Sequence, residues 1–168
     1  MSELVISIRR ARGEDACAIS SVFDQAWREA YQGILPALTL ERMISRRGPR
    51  WWLSSIGRGR PLVVLDFGDR IAGYSSYGRC RDRGFPAEGE IDELYLLPEY
   101  QGLGFGKRLF KAVRNDLDDR GAKRVAVWSL ADNERACAFY RGLGGRSIAE
   151  TTERFSGQGL VKTCFLFR

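Results

Sequence analysis

Leu94-Tyr95-Leu96-Leu97 leads through Pro98-Glu99-Tyr100-Gln101 into Gly102-Leu103-Gly104-Phe105-Gly106-Lys107, and a helix-periodic run follows at once. No other stretch constrains the fold as strongly. Glycine serves tight turns and places where something must approach the main chain closely. A helix N-terminus offers unpaired N–H groups and the positive end of a dipole. A strand, three glycines and a helix start in succession describe an anion cradle, most often for phosphate. In an open α/β sheet such a loop lies at the C-terminal end of a strand, where ligands bind.

Two familiar phosphate loops do not fit. A dinucleotide fingerprint, G-x-G-x-x-G, would need glycine where Lys107 stands, and a ribose-binding acid after a following strand. A Walker A loop, G-x-x-x-x-G-K-[ST], matches Gly106-Lys107 but meets Gln101 in place of its first glycine and Arg108 in place of its hydroxyl residue.

The 168 residues suit a single domain, 1–168, with enough chain to bury a core. Apolar runs are too short to span a bilayer, and the N-terminus has no basic head followed by an apolar stretch, so a cytoplasmic protein without membrane contact is expected. Cys17, Cys80, Cys137 and Cys164 are scattered, and the chain has no histidine. No metal site is expected, the cysteines read as reduced thiols, and any acid–base chemistry falls to carboxylates, Tyr, Lys or Cys. The net charge of +6 comes partly from local clusters such as Arg9-Arg10-Ala11-Arg12. It could attract an anionic ligand. No nucleic-acid motif accompanies it, so a nucleic-acid partner is not expected.

Hydrophobic spacing gives the order of elements. Strands are expected at 5–9, 61–66, 70–77, 88–97, 123–129, 146–154 and 160–167. Helices are expected at 14–30, 39–47, 104–119 and 133–143, with a short helical piece at 50–56. Segment 88–129 reads as one parallel β-α-β crossover flanked by hairpins. The fold class is α/β: a mixed sheet with helices on both faces.

Gln101-x-x-Gly104-x-Gly106 resembles the Q/R-x-x-G-x-G/A pyrophosphate loop of the GNAT superfamily of acetyl-CoA-dependent N-acetyltransferases. Leu94 to Tyr100 looks like that family's fourth strand and its exit. Asn133-Glu134-Arg135-Ala136-Cys137-Ala138-Phe139-Tyr140-Arg141-Gly142-Leu143-Gly144 is similar to its second motif, N-x-x-A-x-x-F/L-Y-x-x-x-G. The order of elements matches over nearly the whole chain. The resemblance implies a mostly antiparallel central sheet whose one parallel pair splays around the cofactor.

It also implies acetyl-CoA as cosubstrate. The main chain of Gln101, Gly102, Leu103, Gly104, Phe105, Gly106 and Lys107 would hold the pyrophosphate. The strand Leu94-Tyr95-Leu96 would pair, through the main chain of Leu94 and Leu96, with the pantetheine arm. Asn133 and Tyr140, seven apart on one helix face, would meet the arm and its sulfur. The acidic half of the fourth strand, Glu90, Asp92 and Glu93, is where a general base is sought; the pattern of some family members, counted back four residues from Leu94, implies Glu90, with Asp92, Glu93 or a water chain as the alternatives. The resemblance implies the Leu94 N–H as oxyanion donor and Tyr140 as general acid. Strict alternation puts Glu90, Asp92 and Leu94 on one face of the strand and Glu93 on the other; a bulge would alter this. Some relatives carry a Glu on the fifth strand, where this chain has Trp128-Ser129-Leu130. Trp27 and Tyr31, with Asp92, are expected at the acceptor site. The expected acceptor is a small-molecule or protein amine, and the exposed C-terminal strands leave room for a homodimer. The rival reading is a non-catalytic acyl-CoA-binding or sensor protein on the same fold.

Overall fold

The computed structural model describes residues 4–168. Its strands are β1 (Ser7–Arg10), β2 (Leu62–Asp66), β3 (Ile71–Arg79), β4 (Gly89–Leu96), β5 (Val125–Leu130), β6 (Arg146–Phe155) and β7 (Gln158–Phe167). Its helices are α1 (Ala16–Tyr31), α2 (Ala37–Ser45), α3 (Pro49–Arg58), α4 (Phe105–Asp119) and α5 (Glu134–Gly142). The strands form one seven-stranded sheet in the order β1-β2-β3-β4-β5-β7-β6. All neighbours are antiparallel except β4 and β5. Among the described residues no helix is long and apolar enough to cross a membrane.

The helices form where apolar residues recur at helical spacing. Ile19, Val22, Phe23 and Ala26 of α1 are buried, as are Leu109, Phe110, Val113 and Leu117 of α4. Pro49 opens α3 at a first-turn position, where its missing N–H would have had no partner. α1, α2 and α3 cover one face of the sheet, in a core holding Phe23, Trp52, Val64 and Tyr74. α4 and α5 cover the other, in a core holding Leu65, Tyr77, Ile91, Val127 and Phe165.

Two irregularities in β4 position everything that follows. Its parallel pairing with β5 covers only Gly89–Val125, Glu90–Ala126 and Ile91–Val127, and beyond Ile91 the two strands part. Leu97 N–H donates to Ala72 O on β3. Alternation from there turns the N–H and C=O groups of Leu94 and Leu96 away from β3, into the gap.

The second irregularity is a bulge. Ser76 pairs with Glu93 and Tyr77 with Ile91, leaving Asp92 as an extra residue. This corrects the strict alternation expected from the sequence. Glu93 lies on the α1–α3 face beside Tyr95 and Tyr74, on the same side as Asp92. Leu94 packs towards α4.

Candidate active site

The gap between β4 and β5 opens into a cleft of about 700 Å³ beside α4 and α5. Gly102 and Gly104 take φ of +75° and +88°, the left-handed region that favours glycine, and a Cβ on either would meet no protein atom within 4 Å. The main chain is thus bare on its cleft side just where α4 begins. Gly106 is needed for another reason. A Cβ there would lie 3.2 Å from the Phe139 ring, so glycine lets α4 approach α5. Gln101 caps the end of β4, its amide donating to Leu96 O at 3.2 Å.

Leu94, Tyr95, Leu96, Gln101, Gly102, Gly104, Gly106, Lys107, Asn133 and Tyr140 all line this cleft. The side chains of Leu103 and Phe105 do not. Leu103 is solvent-exposed, and Phe105 packs on Phe67, with ring centroids 5.1 Å apart. An extended anionic ligand fits what is present: open main-chain groups on β4, glycines at a helix start, and a lysine on the first turn.

A smaller cleft of about 270 Å³ lies on the α1–α3 side. Trp27, Tyr31 and Asp92 line it as expected. So does Glu93, a candidate carboxylate that the bulge turns to this side, along with residues that local pattern did not assign to the acceptor site: Trp128 on β5, and Glu153, Phe155 and Lys162 from the β6–β7 hairpin. Hydropathy marked this hairpin as strands but carried no sign that its tip reaches the site. The two clefts share Leu94, Tyr95, Asn133, Ala136 and Tyr140, so they meet where β4 leaves β5.

Glu90 lines neither cleft. Its carboxylate accepts from Arg81 Nη2 at 2.8 Å and the Arg81 amide at 3.2 Å. Burial pushes this carboxyl up, but the Arg81 contacts outweigh it and leave it below the usual range. Asp92 goes the other way: burial raises it, against Arg60 and Arg81. Glu93 accepts from Arg47 Nη2 and from the Tyr74 hydroxyl, each at 2.6 Å.

The tyrosines stay protonated. Burial raises Tyr31, Tyr95 and Tyr140 above the ordinary phenol range, and the Tyr31 and Tyr95 hydroxyls lie 2.8 Å apart. Asn133 caps α5, its Oδ1 accepting from Ala136 N–H at 3.2 Å. That cap fixes the first turn of the helix whose next two turns bring Tyr140 to the junction.

Residues 21–144 match the model of the acetyltransferase (GNAT) family. The uncharacterized N-acetyltransferase YuaI of Bacillus subtilis is 27% identical over 153 residues, 91% of this chain and 87% of that protein. A mycothiol acetyltransferase of Paenarthrobacter aurescens is 46% identical over 127 residues, which span 72% of this chain but 38% of that longer protein. Among solved structures, PaiA N-acetyltransferase from Thermoplasma acidophilum in complex with coenzyme A superposes with a TM-score of 0.72 at 19% identity, covering 95% of this chain and 98% of that one. With a glycine-opened helix at a splayed parallel pair and this family match, the chain belongs to the GNAT acetyltransferase family and is an acetyl-CoA-dependent N-acetyltransferase.

Proposed function

We propose that the larger cleft takes acetyl-CoA, that the smaller one takes the amine, and that transfer occurs at their junction. The observation that carries this reading is the shared set Leu94, Tyr95, Asn133, Ala136 and Tyr140 between two otherwise separate clefts. The main-chain amides from Gln101 to Lys107 bind the pyrophosphate. The Leu94 carbonyl and the Leu96 N–H, both turned away from β3, pair with the amide-bearing arm as a neighbouring strand would.

An alkyl amine arrives mostly as ammonium and must lose a proton before it attacks. Of the carboxylates that line the acceptor cleft, Asp92 is taken up by Arg60 and Arg81 and Glu153 is solvent-exposed, so we assign the proton to Glu93, in place of Glu90, which Arg81 holds outside both clefts. Each Glu93 oxygen already accepts one hydrogen bond, and its remaining lone pairs can receive the proton through water. As the amine nitrogen bonds to the acetyl carbon, charge builds on the carbonyl oxygen, and the Leu94 N–H donates to it. The carbon–sulfur bond then breaks: the nitrogen gives its excess proton to water, and CoA leaves as a thiolate that takes a proton from solvent. Tyr140, its phenol raised by burial, serves as a hydrogen-bond donor to the departing sulfur and not as a strong acid. The cosubstrate is a cytoplasmic metabolite, which supports a cytoplasmic site of action.

The test is a panel of primary amines assayed for CoA release, alongside the thermal shift given by acetyl-CoA alone. A shift together with amine-dependent release is expected. A shift with no release from any amine would overturn the catalytic reading in favour of an acyl-CoA-binding protein.

A further inference from the structure

Three carboxylates face the acceptor cleft, and each already has cationic partners. Asp92 accepts from Arg60 at 2.6 and 3.1 Å and from Arg81 at 3.0 Å. Glu93 is held by Arg47 and Tyr74. Glu153 pairs with Lys162 at 2.7 Å. Arg47 is not easily displaced: its guanidinium carbon sits 4.4, 4.2 and 4.6 Å from the ring centroids of Phe23, Trp51 and Trp52. The remaining lining includes the apolar surfaces of Trp27, Met43, Trp128 and Phe155.

A ligand's positive charge beside the largely buried Asp92 and Glu93 would lose water, and nowhere in the cleft would it find a carboxylate without a partner. Desolvating an unpaired ion is costly. The transferring amine escapes this cost because it gives up its proton, and the aromatic rings favour it while it is still cationic. A second ammonium has no such route. The cleft is also small for a ligand site.

We infer that the acceptor is a compact primary monoamine with an alkyl or aryl body and no second charge. This rests on the assignment of the smaller cleft to the amine. It sets aside polyamines and peptide termini as preferred acceptors.

The test compares pentylamine with cadaverine, the same carbon chain bearing a second ammonium, together with 2-phenylethylamine and a tetrapeptide with a free N-terminus. Saturating acetyl-CoA and CoA release are used throughout. For the unmodified enzyme, kcat/KM should favour pentylamine over cadaverine by roughly tenfold or more. 2-Phenylethylamine should do at least as well as pentylamine. Lys162→Met frees Glu153 to take a second ammonium and should narrow the gap; Glu153→Gln leaves Lys162 unpaired and should widen it. Cadaverine or the tetrapeptide matching pentylamine would overturn the inference, and the unmodified enzyme alone decides this if a variant fails to fold. A gap unchanged in two folded variants would overturn it as well. Those results leave acetyl transfer intact, whereas turnover of none of the four amines overturns the inference together with the reading beneath it.

Discussion

The two clefts are built from different materials. The larger one offers main chain: free groups on β4, glycines at positive φ and the start of α4. The smaller one offers side chains drawn from α1, the α2–α3 turn, β4, β5 and the β6–β7 hairpin. A site made of backbone recognises what every ligand of its class shares, which in the proposed function is a pyrophosphate and an amide-bearing arm. A site made of side chains can change its ligand without disturbing the sheet. The first should therefore fail when backbone is altered, and the second when single polar atoms are.

The largest effect is expected at Gly104. Its φ of +88° disfavours any residue with a Cβ, and a β-branched one above all. That Cβ would project into space left open on the cleft side. Gly104→Val should abolish the thermal shift with acetyl-CoA. A shift of normal size in the folded variant would break the idea that bare main chain makes this cleft.

Next comes the carboxylate on the acceptor side. Glu93→Gln should lower kcat/KM at neutral pH by roughly 10²–10⁴ and leave the acetyl-CoA shift in place. Glu90→Gln should keep near-normal kcat/KM. The reverse pattern would return the base to Glu90 and require the bulge at Asp92 to be rearranged in the working enzyme.

A smaller loss is expected at the junction. Tyr140→Phe keeps the ring against Phe165 and Phe167 and removes one hydrogen bond to a charged sulfur, ~1.5–3 kcal/mol, or about 10–10² in kcat. The loss should shrink for an acyl donor with a more acidic thiol. An equal loss with both donors would mean that Tyr140 positions the cosubstrate only.

The smallest effect serves as a control outside both clefts. The Arg9 guanidinium bonds Asp15 and holds its carboxyl below the ordinary 3.8, with burial opposing and the Arg12 amide assisting. A depressed folded value means that the stability Asp15 contributes is complete above pH 3.8 and is lost as pH falls through the lower folded value. The melting temperature should fall in that acid range. Asp15→Asn should flatten the fall and cost a few degrees, roughly, at neutral pH, with acetyl-CoA binding and amine turnover unchanged. Altered turnover would show that the acceptor side feels the start of α1.

How much of this could be read in advance follows the same division. Gly102 and Gly104 are legible because a loop that presents amides needs residues without side chains, and Gln101 and Gly106 because they sit in the same short motif. Asn133 and Tyr140 are legible because one cap and one helix face relate them. α1, α4 and the hairpins follow from apolar spacing.

Glu93 was legible as one of three candidate carboxylates, but its turn toward the smaller cleft was not. A single extra residue in a strand reverses the face of everything beyond it, and the bulge at Asp92 is decided by how β3 and β4 settle their ladder while β4 and β5 part. Arg47, Glu153, Phe155 and Lys162 were not legible either, because no local pattern relates residue 47 to residue 93, or residue 155 to residue 27. By itself the sequence determined a glycine-opened, backbone-made cofactor cleft in a mixed sheet, since those features depend on local conformation. Only the tertiary structure decided which carboxylates line the smaller cleft and which cations already pair with them, because packing between distant segments sets those contacts.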